Sequence, residues 1–429
     1  MAAQLRARAL GLPEHPVVVI GHPLATKNHS QVQELVKNSL EELVHGLVSG
    51  TANRSEPIRN AEASTRVAED KKNGSRLQVE GSISEINSYF YERGWTDGLP
   101  IIPPLEDLVL EMLQAAPRSA EQSLGKMSPL NGTVTVEKVA INAVMAGCKP
   151  EYFPVVLAAV KAVLQPQFNV GSITTTTGGA APVVIVSGPL AGKLGIHSGT
   201  AVFGSGHRAN ATIGRALRLT MRNLGGSIVD TMEKSTHAWP GKYTMCFAEN
   251  DARNPWEPLH VELGFGPETS VVTVAAARGL HTMMEGTQET GMGALETLVK
   301  SMTAGGISGY YYQRWGASYV VVLGPEHAAE IAAAGFGRTE VKQYLFDNVR
   351  LPVSDLKHRG HWGARCWPTE YEGHGDDFLV PLVADPDKFL LVVAGGDGRH
   401  SSWFQAWSAT QRATQVIEAS MAFEVQETT

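Results

Sequence analysis

The chain has 429 residues, 43% of them hydrophobic and 18% charged, with 44 glycines. That composition can bury a core and excludes a mostly disordered chain, and the length suggests about two or three domains. The formal charge of −7 gives nucleic-acid binding no electrostatic support.

Cys148, Cys246 and Cys366 are too few and too scattered for a disulfide framework, which points to a reducing, cytoplasmic setting. No apolar run nears the ~18 residues that cross a bilayer, so no membrane partner is expected. The apolar run at 17–20 is also too short for a signal-peptide core.

In chain order, residues 1–50 read as a partial small α/β unit, with a buried strand at 17–20 and an amphipathic helix at 31–47. One short strand and two helices cannot close a core. The unit therefore either docks on the rest of this chain or completes a fold begun by another polypeptide. Residues 51–75 are polar, without apolar period, and read as a linker.

Residues 76–429 read as a large α/β domain of mixed or parallel sheets flanked by helices. It opens with a strand at 76–80 and a helix at 84–93 that Ser82 or Ser84 can cap. Helices are predicted at 105–116, 136–146 and 153–164. Strands are predicted at 183–186, 242–247, 270–275, 319–323 and 389–394. Further helices fall at 211–224, 326–334 and 339–349.

Residues 183–189 (VVIVSGP) match residues 320–325 (VVVLGP) at an offset near 136. Each copy follows a helix and precedes a small-residue helix. This fits two pseudo-repeated halves, about 76–230 and 231–429, around a central site. The alternative is that strand, Gly-Pro, helix is a common α/β turn solution.

Several residue groups could carry chemistry. Gly204, Gly206, Arg208 and Asn210 form a Gly-rich loop opening a helix, where backbone N–H groups and a guanidinium can bind an anion. The spacing matches no nucleotide fingerprint, and the other reading is a tight turn with Asn210 as cap. His207 is an acid, base or ligand candidate. Arg215, Arg218 and Arg222 share one helix face, read as solvated or as a partner surface.

Asp97, in the turn-rich run 94–100, is a general base, a ligand or an Asx-turn former. Thr176 and Thr177 offer hydroxyls beside an expected strand. Lys242 and Cys246 are placed on one side of a strand that ends at Glu249 and Asn250, where α/β sites gather. Cys246 is either a nucleophile or an inert buried thiol. His358, His361, Cys366 and His374 are metal-competent types at a spacing that fits no standard pattern, so no metal is assigned. A second Gly-rich loop, 395–401, follows the last predicted strand. The cofactor is left unknown.

The runs GWTDGLPIIPP, AINAVMAGCKPEYFPVVLAAV, FGSGHRANATIGRALRL, PGKYTMCFAEN and NPWEPLHVELGFG resemble the large domain of the UGSC-motif (seleno)protein family. The resemblance covers about 76–403, and ARALGLPEHPVVVIGHPL resembles the back half of that family's small domain. The U/C-G-S-C turn that carries the family's reactive selenocysteine or cysteine is absent from these 429 residues.

The resemblance implies a subunit of a thiol- or selenol-dependent enzyme with reductase- or lyase-like chemistry. It would bind a small anionic substrate at the Gly-rich loops, with Asp97, His207 and Glu249 as acid/base groups. Gly204, Gly206, Arg208, Asn210, Thr176, Thr177, Lys242 and Asn250 would contact substrate. A protein partner would supply the CGSC half, in a homo- or hetero-oligomer, or Cys148 or Cys246 would substitute. The alternative is a non-catalytic binding or scaffold subunit that stabilises such a partner.

Overall fold

The computed structural model describes residues 7, 12, 15–18, 29–49, 76–305, 316–358, 373–407 and 410–418. The chain is α/β, a curled mixed sheet flanked by helices. The first elements with described bounds are α1 (His29–Ser49), α2 (Ile83–Glu92) and α3 (Glu106–Gln114). The hairpin β1 (Ser123–Met127) and β2 (Gly132–Thr135) precedes α4 (Val136–Ala146), α5 (Phe153–Val163) and α6 (Val170–Thr174). Next come β3 (Ala181–Ser187), α7 (Pro189–Lys193), α8 (Arg208–Gly225), β4 (Cys246–Ala248), α9 (Leu259–Glu262) and β5 (Val271–Met284).

The second part runs α10 (Gly291–Gly305), β6 (Tyr319–Leu323), α11 (Pro325–Ala333), α12 (Arg338–Asn348), β7 (Arg350–Pro352) and α13 (Val353–His358). It ends with β8 (Leu379–Pro381), β9 (Phe389–Val393), β10 (His400–Ala406) and β11 (Ala413–Val416).

Local chemistry explains the firmest boundaries. Ser82 caps α2 in a capping box with Glu85, whose carboxylate accepts from the Ser82 amide at 2.7 Å. Thr135 caps α4, which stops at Gly147 in the left-handed region. The strand expected at 76–80 is not a strand. The strand expected at 242–247 begins only at Cys246, because Pro240–Lys242 forms a turn of 3₁₀ helix.

The main sheet has the order β4-β3-β5-β10-β6-β9, with β11 also on β5. Val184 sits opposite Cys246 in parallel and Val274 in antiparallel register. Val320 sits opposite Leu390 in parallel and Phe404 in antiparallel register. The next positions keep step: Val186 pairs Ala248 and Val272, and Val322 pairs Val392 and Ser402. The β4-β3-β5 and β9-β6-β10 sets therefore share one register, related about the central antiparallel pair β5 and β10. This places β4 and β5 in the first half, so the division drawn near residue 230 moves to the loop after Met284.

Strand alternation then builds the core. Val184 and Val186 face α4, α5 and α8, while Val321, Leu323, Leu391 and Val393 pack with residues of α10–α12. Val183, Ile185, Phe247, Val320, Val322, Leu390, Val392 and Phe404 fill the inside of the curl. The curl brings the sheet's two edges together, since the Asn250 amide after β4 donates to the Val393 carbonyl of β9 at 2.8 Å. Among the described residues no single helix is long and apolar enough to cross a membrane.

Candidate functional site

The arginine stripe of α8 is not a solvated face. Arg215 forms a two-pronged ion pair with Asp97, at 2.8 and 2.9 Å, and also donates to the Pro100 carbonyl at 2.9 Å. Arg222 donates to the Gly94 carbonyl at 3.0 Å. Arg218 is buried and donates to the Lys242 carbonyl at 2.9 Å, and burial pulls its pKa down to about 10. The Leu99 amide donates to Asp97 in an Asx turn. Asp97 therefore anchors the 94–100 loop to α8, away from the helix's first turn.

At that first turn, Gly204, Ser205, Gly206 and Arg208 are exposed. His207 occupies the N-cap position of α8 without making a side-chain cap, so no capping side chain serves the first-turn amides. Instead the His207 ring stacks on His197, with centroids 3.4 Å apart and planes at 5°. Asn210 is buried, which corrects its assignment as a substrate contact. Its amide oxygen accepts from the His197 N–H at 2.8 Å and its NH₂ donates to the His197 carbonyl at 3.0 Å. Arg208 donates to the Gly147 carbonyl through Nε.

The same carbonyl of His197 accepts from the Ala248 amide at the end of β4. The Gly395 amide donates to the Ser198 carbonyl at 2.8 Å, and Gly396 lies against Thr200. The loops before α8 and after β9 thus meet where β4 and β9 close the curl, at the junction of the two halves. Asn250 lies at this junction, and its backbone makes the closing bond.

Glu249 is adjacent but faces inward. Its Oε2 accepts from Ser187 Oγ and the Leu259 amide, each at 2.7 Å, and its Oε1 accepts from Arg338 at 2.9 Å and Asn254 at 3.0 Å. Burial pushes its pKa up, against the pull of Arg338. Its side chain is 0% exposed, so it cannot reach a substrate in the loops.

Lys242 lies in a separate cluster, away from Cys246. It pairs with the buried Glu233 carboxylate, and burial and Arg218 lower its pKa to about 8. Ser235 Oγ donates to the Gly178 carbonyl, and the Thr236 amide to the Thr177 carbonyl, each at 2.8 Å. Thr176 Oγ1 accepts from the Gly178 amide at 2.9 Å. The Thr177 and Gly178 carbonyls therefore hold the 233–236 loop, and the Thr176 hydroxyl is used within its own turn.

Cys148 and Cys246 are both buried. Burial pushes the Cys148 thiol up to about 12 and the Cys246 thiol up further, which argues against Cys246 as a nucleophile. Cys366 and His361 lie outside the described residues, and His374 stacks on Phe378. Among the described residues no group of three or more His, Cys, Asp or Glu is placed to hold a metal. A polar cavity of about 370 Å³ lined by Gln167, Ser318, Asp387, Lys388, Gln411 and Arg412 does not reach the loop at 204–210.

The structure thus gathers His207, Gly204, Gly206, Arg208 and Asn250 near the junction. It leaves Asp97 on the flank of α8, Glu249 beneath the surface and Lys242 in its own cluster. Sequence reasoning missed Ser187, His260 and Arg338, which surround Glu249. Ser187 stands directly before the Gly188-Pro189 turn of the repeat, the one signal that pointed there. Comparison with family models, with curated proteins and with solved structures gives no match for this chain.

Proposed function

We propose that this chain is the anion-binding large subunit of a thiol- or selenol-dependent small-molecule enzyme of the UGSC type, with the reactive thiol contributed by another polypeptide. The observation that carries this reading is the start of α8. An 18-residue helix begins, without a side-chain cap, at the exposed 204–206 loop beside Arg208 and His207, where the two halves meet. Such a terminus offers unpaired N–H donors and a positive dipole end to a carboxylate or phosphate. His207 is then the acid/base candidate. Among the described residues, the burial of Cys148 and Cys246 supports a thiol other than these two.

The test is calorimetric titration of the purified chain with inorganic phosphate and short carboxylates. Binding weakened about tenfold or more in Arg208→Ala supports the reading. No binding, or binding untouched by that change, overturns it.

A second reading, a non-catalytic binding or scaffold subunit, is favoured by the engagement of both Asp97 and Glu249 in ion pairs. Co-expression with a small polypeptide carrying strand–CGSC–helix separates the two. Turnover lost in His207→Ala supports catalysis by this chain, and turnover unchanged supports the scaffold.

A further inference from the structure

The Ser187 hydroxyl sits between two groups that each require a hydrogen. Glu249 Oε2 lies 2.7 Å from Oγ, and His260 Nδ1 lies 2.9 Å from it. The other ring nitrogen, Nε2, faces the Pro267 carbonyl at 3.1 Å, an acceptor only, so Nε2 carries a hydrogen. The backbone N–H of His260 also points at Oγ, at 3.3 Å. All three side chains are buried.

A hydroxyl donates one hydrogen. If Ser187 donates to Glu249, then Nδ1 must donate to Ser187 and His260 is a cation. If Ser187 donates to Nδ1, then Oε2 must carry the hydrogen and Glu249 is neutral. An ionised Glu249 beside a neutral His260 leaves two lone pairs facing each other across a 2.7 or 2.9 Å contact, away from water.

We infer that Glu249, Ser187 and His260 form a buried proton store, holding one proton more than a free carboxylate and a free imidazole hold above neutral pH. The two arrangements differ only in where that proton rests, and concerted shifts through the hydroxyl interconvert them.

The charged groups around it act in both directions, Arg338 favouring an ionised Glu249 and Asp251 opposing it. Arg338 from α12 faces Glu249 and also pairs with Glu262, which pairs with Lys342. Asp251, after β4, acts on Glu249 and on His260. Asn254 and the Leu259 amide are the remaining neutral donors.

The second half supplies an internal contrast. Its buried His327 makes the same pair of contacts, Nδ1 to Ser401 Oγ at 2.8 Å and Nε2 to the Glu285 carbonyl at 3.0 Å. There the hydroxyl's other neighbour is the Gly324 amide, a donor. A neutral imidazole satisfies every partner, so His327 stores nothing. The store lies in the first half but faces the second, because its ion-pair neighbour Arg338 belongs to the second. Loss of the proton leaves a mismatched contact at the junction.

The experiment uses the full chain at about pH 8, where an ordinary imidazole and an ordinary carboxyl have both lost their protons. Ring-nitrogen NMR of histidine-labelled protein reports the charge of His260, and infrared spectroscopy reports a protonated carboxyl. The expected result is either a cationic His260, or a protonated-carboxyl band that disappears in Glu249→Gln, with His327 neutral in both cases. Glu249→Gln serves to identify the carboxyl band, since the Leu259 N–H at one oxygen position and Arg338 and Asn254 at the other oppose either placing of an amide NH₂. Resonances of His260 are identified by their loss in His260→Gln or, should that variant not fold, by their response to Glu249→Gln. A neutral His260 together with no carboxyl band sensitive to Glu249→Gln overturns the proposal.

Discussion

The amide of Asn250 donates to the carbonyl of Val393 at 2.8 Å, joining the residue that follows Glu249 to the last residue of β9. Asn250 lies two residues past β4 and Val393 ends β9, and the two strands are equivalent, since β4 pairs with β3 in the register in which β9 pairs with β6. One bond thus ties the two halves together beside the loops that would receive a ligand. The chemistry of the junction then depends on a few residues whose roles can be tested separately.

Arg215 and Asp97 have side chains only 14% and 13% exposed, and Arg215 also holds the Pro100 carbonyl. Removing the guanidinium in Arg215→Ala leaves Asp97 unpaired in a poorly hydrated site. The expected loss is about 3 kcal/mol, read from the urea midpoint, with faster proteolysis at residues 94–100. An unchanged midpoint would show that the pair is not structural.

Asn210 serves both backbone groups of His197, one as acceptor and one as donor. Asn210→Ala strands the His197 N–H, while the His197 carbonyl keeps its bond from the Ala248 amide, and should cost about 1–3 kcal/mol. Asn210→Asp keeps the acceptor but sets a carboxylate against the His197 carbonyl, so it should be no better tolerated. Thermal unfolding of the two variants checks this, and a mild effect in both would mean that water replaces the amide.

The Gly-Pro turns of the two halves should respond alike. A Cβ on Gly188, at φ +106°, would lie 2.6 Å from the Thr269 carbonyl oxygen, and one on Gly324 would collide with the His400 carbonyl oxygen. Gly188→Ala and Gly324→Ala should each lose about 3 kcal/mol or more, through overpacking against backbone that cannot yield. Gly192, in α7, has open space and serves as the control, with Gly192→Ala neutral or slightly stabilising. Tolerance of either turn variant would break the structural equivalence of the halves.

Lys242 gives a pH dependence with a definite sign. Its folded-state pKa is lowered to about 8 from 10.5, first by burial and then by Arg218. Between those values the unfolded chain holds a proton that the folded chain has released. Stability contributed by this group therefore rises with pH across about 8 to 10.5. Lys242→Met should remove that rise, measured as unfolding midpoints over a pH series. A parallel curve in the variant would place the titration elsewhere.

The sequence by itself determined most of the elements and pointed to two similar strand–Gly-Pro segments. Residues 183–186 and 320–323 are apolar at every position, which only a strand buried on both faces can use, and the Gly-Pro after each copy is required by the backbone it abuts. Ser82, one of two serines that could open its helix, was legible because capping is a local matter of one side chain and three or four residues.

What only the tertiary structure decided is which polar groups find partners. Nothing in the spacing of Asp97 and Arg215, 118 positions apart, or of Glu249 and Arg338, 89 apart, announces an ion pair. The buried proton-bearing array draws Ser187, Glu249 and His260 from a strand end, a loop and a one-turn helix. Local pattern fixes which face of an element is apolar. The closing of the curl fixes which charges are shut away from water, and hydrogen bonding in that dry interior sets what each can do.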